Sequence, residues 1–183
     1  MNRNDALALM QEWTLNESLR KHMLCVETAL RSYANKFGHD EELWGITGLL
    51  HDFDYEKYPE APDHPLKGSI ILQEKGYPEE MRIAILGHAS YTNVPRELLL
   101  AKSLFACDEL CGFIVACSLV KPDKKVSSVE VSSVKKKLKD KAFARNVSRE
   151  DIINGAAELA VDLDEHIQFV INSLKDNAEK LGL

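Results

Sequence analysis

The chain has 183 residues, 45% of them apolar and 28% charged, with a formal net charge of −6. That length suits one well-packed core, the balance of residue types excludes a disordered chain, and the acidic total argues against indiscriminate binding of nucleic acid. No run of about 18 uncharged apolar residues occurs, and the opening "MNRNDALALMQEW" mixes charges into its apolar positions, so neither a membrane span nor an export signal is expected.

The first strong helical period lies in 18–37, "SLRKHMLCVETALRSYANKF", where Leu19, Val26, Ala29, Leu30 and Tyr33 form a stripe that ends at Gly38. His22 falls on that stripe. A shorter helix over 40–50, "DEELWGITGLL", opens with Asp40 as N-cap and delivers His51 and Asp52 at its C-terminal end. Backbone carbonyls point outward there and disfavour an anion, so Asp52 stands against local preference. Asp54 and Glu56 follow within four residues.

Residues 64–76, "HPLKGSIILQEKG", predict a helix with Pro65 in its first turn and Gly76 at its stop. Residues 78–90, "PEEMRIAILGHAS", predict another that begins at Pro78, with His88 on the face of Met81, Ala84 and Ile85. The longest apolar helix is expected over 95–120. On it Asp108 shares a face with Ala101, Leu104, Phe105, Cys111, Gly112 and Val115, where a carboxylate is costly unless paired or metal-bound. Next, 127–144 reads as strongly helical after Val134, and 148–182 supplies one or two closing helices, with Ser148 and Asp151 as a capping pair. Alternating runs bounded by hairpin turns are missing. The expectation is therefore one all-α domain over 1–183, with its core at about 15–120 and a C-terminal helical cap at about 121–183.

Cys25, Cys107, Cys111 and Cys117 sit in apolar helical segments without zinc-ribbon spacing, which predicts buried reduced thiols and a reducing, cytoplasmic compartment. A metal or redox pair at Cys107 and Cys111, four apart, is the lesser reading. Charge is unevenly spread. Residues 121–149 carry +7 and leave −13 elsewhere. Such a run is a solvated helix face first and an attractor of anions second.

Three inward histidines and two carboxylates thus lie on four helices that must share a core. Two anions in one site repel unless a cation lies between them, and neutral imidazole with carboxylate oxygen suits Mn, Fe, Ni, Co or Zn. A divalent ion of this kind also polarises a bound water into a nucleophile near neutral pH.

Taken in order, His22, the pair His51 and Asp52, and Asp108 resemble the H…HD…D signature of the HD-domain metal-dependent phosphohydrolases. "HPLKGS" from His64 resembles the HP-x-x-G stretch that follows the pair in many members, and His88 resembles the later histidine of the binuclear subgroup. The likeness covers about residues 15–120, and the chain as a whole is similar to small HD hydrolases of poorly defined substrate. It implies an HD-type helical bundle with one ion held by His22, His51, Asp52 and Asp108. A second ion would be held by His64 and His88, with Asp52 or Asp108 bridging. The implied reaction is hydrolysis of a phosphomonoester or phosphodiester of a small, nucleotide-like molecule. Neither specific nucleic-acid binding nor a membrane partner is expected.

The chain also departs from the family pattern. Where many members follow the pair with Ile-Gly-Lys, it has Phe53, Asp54 and Tyr55, and Lys57 comes two positions later. "GHAS" has one histidine where the cyclic-dinucleotide phosphodiesterases have two, and "KGYPEE" precedes His88 rather than following it.

The catalytic candidates are Asp52, Asp54 and Glu56. Asp54 or Glu56 would either accept a proton from metal-bound water or hold a ligand histidine in its tautomer, with a solvated turn as the competing reading. Tyr55, Lys57 and Tyr58 are candidates for the entrance, and Ser90, Thr92, Asn93 and Arg96 for contacts to a polar substrate. Lys135, Lys136, Lys137, Lys139 and Lys141 would steer a phosphorylated substrate. Two other functions stay open: a di-iron oxygenase of the same fold, since the H…HD…H…H…D order of inositol oxygenase is also similar, and a nucleotide-binding regulatory module without turnover. His39 and His166 fall outside the set.

Overall fold

The computed structural model describes residues 2–183. Their regular structure is helical throughout, with no strand: α1 (Arg3–Trp13), α2 (Glu17–Phe37), α3 (Glu41–Leu50), α4 (Asp63–Glu74), α5 (Glu79–His88), α6 (Leu99–Leu119), α7 (Val131–Leu138), α8 (Arg149–Glu158), α9 (Leu163–Asp176) and α10 (Ala178–Leu181). Short 3-10 turns lie at Ser90–Thr92 and Val126–Ser128. The all-α expectation holds. Two compact units, Met1–Phe105 and Ala106–Leu183, divide the chain, and the boundary falls within α6. No helix among the described residues is long and apolar enough to cross a membrane.

In the first unit α3 packs on α1, α2 and α5, and α4 packs on α5. The caps read from sequence form as expected: Asp40 accepts from the N–H groups of Glu42 and Leu43, and Gly38 closes α2 in the left-handed region at φ 73. Gly48 lets α3 lie directly on the α2 backbone, since a Cβ there would come within 2.8 Å of the Glu27 nitrogen. Glu27, buried beneath that contact, accepts from Arg3 Nε at 2.6 Å and Arg31 Nε at 3.0 Å, which ties α1 to α2.

Helix α1 itself was not foreseen. Its apolar positions Ala6, Leu9 and Met10 are buried, and Asn2 caps it by accepting from Asp5 N–H. The link after it clasps the turn at 51–57. Thr14 Oγ1 donates to Phe53 O at 3.0 Å, and the N–H groups of Leu15 and Asn16 both donate to Glu56 Oε2 at 2.8 Å.

Two expected helix starts are corrected. His64 (φ −79, ψ 136) and Pro65 (φ −91, ψ 16) are not helical, so the regular turns of α4 begin beyond Pro65. A proline forces the residue before it out of the helical region, and here that residue is His64. The long apolar helix starts at Leu99 rather than at Pro95, after a segment in which Asn93 takes φ 56.

In the second unit α9 packs against α7, α8 and α10. Gly155 brings α8 against Ala106, where a Cβ would come within 2.6 Å of Ala106 Cα. The helix expected to run past Val134 to Ala144 ends at Leu138. Residues 139–147 instead wind around the Arg149 guanidinium, which donates to the carbonyls of Asp140, Phe143, Ala144 and Val147 and lies 5.1 Å from the centre of the Phe113 ring. Helix preference among the lysines differs by only a few tenths of a kcal/mol per residue. Four hydrogen bonds from one charged group, each about 1.5–3 kcal/mol, outweigh it.

All four cysteines are free and buried, as expected. Burial pushes the Cys117 thiol up to about 11 and the Cys25 thiol up to about 12. Cys107 is raised further still, first by burial and then by the Asp108 charge. Thiols so shifted are inert. Part of the basic run is neutralised within its own unit: Lys135 pairs with Asp164 at 2.7 Å, and Lys137 with Asp140 at 3.5 Å.

Candidate metal centre

Five of the predicted ligand residues converge within the first unit. His22 comes from the second turn of α2, His51 is the C-cap of α3, Asp52 follows it, His64 precedes the regular turns of α4, and His88 ends α5. The close approach of α3 to α2 at Gly48 brings His51 beside His22, with their Nε2 atoms 3.2 Å apart. Asp52 lies at the centre. Its Oδ2 is 3.5 Å from His51 Nε2 and 3.9 Å from His22 Nε2, and its Oδ1 is 3.2 Å from His64 Nε2 and 3.4 Å from His88 Nε2. Each carboxylate oxygen therefore faces a different pair of imidazoles. Ligand atoms of Asp52, His64 and His88 all lie within 4.8 Å of one another, the spacing a shared ion requires.

Hydrogen bonds on the far side of the rings fix which nitrogen faces inward. The Nδ1 of His51 is 2.8 Å from Gly48 O, and that of His88 is 2.5 Å from Ile85 O. A carbonyl only accepts, so each Nδ1 carries a proton and Nε2 is the ring nitrogen that faces Asp52. His64 differs in that its Nδ1 meets a carboxylate, Asp54 Oδ1, at 2.8 Å.

Burial works against the charge on Asp52, yet His51, His64 and His88 hold its carboxyl well below the usual carboxylate range. For His64 burial favours the neutral ring, and the hydrogen bonds to Asp52 and Asp54 overcome it, raising the imidazole to about 9. The centre therefore favours a cation. His22 and His51 turn two ring nitrogens at each other, which repel unless a proton or a metal ion lies between them. Four imidazole nitrogens around one half-buried carboxylate form the donor set expected for Mn, Fe, Ni, Co or Zn, so the residues fit a divalent transition metal.

The remaining candidates separate by their contacts. Asp54 is fully buried and turned toward His64 and Gly68, whose N–H donates to its Oδ2 at 2.7 Å. Glu56 is exposed and bonded to the α1–α2 link. Lys57 Nζ sits 3.7 Å from the centre of the Trp13 ring, and Tyr58 stands 6.4 Å from the same ring. Arg96 donates to Gly87 O at 2.8 Å and stacks on Phe105 at 3.7 Å. These contacts of Glu56, Lys57 and Arg96 serve the fold.

Tyr55 stands beside the cluster, edge-on to the His64 ring at 5.1 Å and 43% exposed. Ser90 is exposed in the 3-10 turn, where Thr92 bonds Leu86 O and Ala89 O and Asn93 bonds Tyr91 O. Lys136 is exposed on α7, and Asp108 is half-buried on α6; both belong to the second unit.

Sequence reasoning missed Tyr91. Its hydroxyl donates to His64 O at 2.7 Å, and its ring is 48% exposed. Burial and then the charges of Asp52 and Asp54 push its phenol up. It lies outside any helical stripe, between the polar neighbours Ser90 and Thr92. The family model described as HD domain matches residues 19–112, just over half of the chain. No curated protein and no solved structure matches it.

Proposed function

The chain belongs to the HD domain family, and from that premise we propose that it is a metal-dependent phosphohydrolase of a small phosphorylated molecule. The observation that carries this is Asp52, whose two oxygens each face a separate pair of imidazoles at 3.2–3.9 Å. His22 and His51 would hold an ion on one side of Asp52, and His64 and His88 would hold one on the other. Asp108 is assigned as a further ligand by its place in the signature alone. When bound, the ions supply a water that is acidic near neutral pH and positive charge for the phosphoryl oxygens.

The chain's own residues do the rest. His51 and His88 donate from Nδ1 to backbone carbonyls, which leaves Nε2 as the ring nitrogen that would meet an ion. Asp52 neutralises charge at the centre. Tyr55 and Tyr91 offer exposed ring surface and a hydroxyl next to His64, where a substrate would rest.

Release of phosphate from phosphomonoesters and of the alcohol from phosphodiesters, with Mn(II), Co(II) or Zn(II) added to wild type and to His51→Ala, tests the activity. Release by wild type and loss in the variant supports it; equal rates contradict it. The nitrogen-rich donor set also suits iron, so the second reading is a di-iron oxygenase. Oxygen uptake by reduced, iron-loaded protein, without phosphate release, would select that reading.

A further inference from the structure

Asp54 lies two residues beyond the central carboxylate, but its side chain turns away from the cluster and is 1% exposed. Both oxygens are committed. Oδ1 takes His64 Nδ1 at 2.8 Å and Oδ2 takes Gly68 N–H at 2.7 Å. Position 68 is also shaped for this group: a Cβ there would come within 2.7 Å of Asp54 Cγ and Oδ2. The HP-x-x-G stretch therefore has a physical content. His64 supplies a ring to be held, Gly68 supplies a donor, and the missing Cβ leaves the volume the carboxylate fills.

We propose that Asp54 is a positioning residue for the His64 side of the centre, clamping the imidazole through Nδ1 so that Nε2 alone is presented to an ion. This rests on the reading, given under Proposed function, that the cluster takes divalent metal. A carboxylate behind a ligand histidine fixes the ring's tautomer and orientation and makes it a better donor. Asp54 is unsuited to accept a proton from a reacting water, because both oxygens face buried donors and none faces the cluster. His51 and His88 are backed by neutral carbonyls instead. The His64 side is thus the side that a single side-chain change can weaken selectively.

Asp54→Asn keeps the shape but turns an amide N–H₂ toward one of the two donors, which needs an acceptor. Gly68→Ala leaves Asp54 in place chemically and displaces it through the added Cβ, while alanine is favoured over glycine in a helix. The test titrates metal-free wild type and both variants with Co(II), following the visible absorption of each bound ion. In both variants the ion on the His22 and His51 side is expected to keep wild-type affinity, and the ion on the His64 and His88 side to bind about 10–100-fold more weakly. Unchanged affinities in both variants overturn the role of Asp54, whether wild type holds one ion or two. So does an equal fall at both sides, which marks general damage. A wild type that binds no Co(II) instead sinks the reading of the cluster on which the role rests.

Discussion

Two buried histidines, one in each unit, show what separates a site from a core. His166 on α9 is 1% exposed, and its Nε2 meets the carbonyl of Ala106 at 2.9 Å. His64 is 4% exposed, yet it stands between two carboxylates, Asp54 at Nδ1 and Asp52 at Nε2. Burial is the same; the facing groups differ. A neutral carbonyl asks for one N–H and leaves a ring that serves the fold. A half-buried carboxylate on the inward side asks for a positive charge, which in the bare protein is a proton and in a loaded one is a metal ion.

That contrast breaks most sharply at Asp52. Replacing it with alanine should abolish ion uptake and cut phosphate release at least ~10³-fold in steady-state assays with added metal. Wild-type turnover in that variant would dissolve the difference between the two histidines. His166→Ala should do the reverse. The cavity and the orphaned Ala106 carbonyl cost about 2–4 kcal/mol, which lowers Tm by roughly 5–15 °C in a thermal melt, while ion stoichiometry stays that of wild type.

Within the 51–57 turn, Glu56→Ala should cost only about 1–2 kcal/mol, because it removes an exposed acceptor from two backbone N–H groups. Chemical denaturation would read that loss, and metal content should not follow it. Lys57→Ala, which gives up an exposed cation–π contact to Trp13, should shift stability by about 0.5–1 kcal/mol in the same measurement.

Much of this was legible from residue spacing. Helical periodicity puts His22 and His88 on inward faces, and a carboxylate at a helix C-terminus marks Asp52 as anomalous. What escaped the sequence was set by contacts distant along the chain. Helix α1 hides its three buried positions among charges, and its anchoring depends on Glu27, more than twenty residues away. The basic stretch at 139–147 has helix-forming lysines, but Arg149 binds the carbonyls that a helix would have used. Between the readings offered for Asp54, the turn sequence could not choose, because the choice depends on the empty Cβ position at Gly68. Tyr91 acts through a backbone carbonyl of His64, and no spacing rule marks such a bond.

The most direct test of the account is elemental analysis of wild type and Asp52→Ala, both purified without chelator and both shown to be folded by circular dichroism. Stoichiometric transition metal in wild type and none in the variant is the predicted result. Metal-free wild type that stays empty when Mn, Fe, Co, Ni and Zn are supplied, or equal metal in the two proteins, would contradict it.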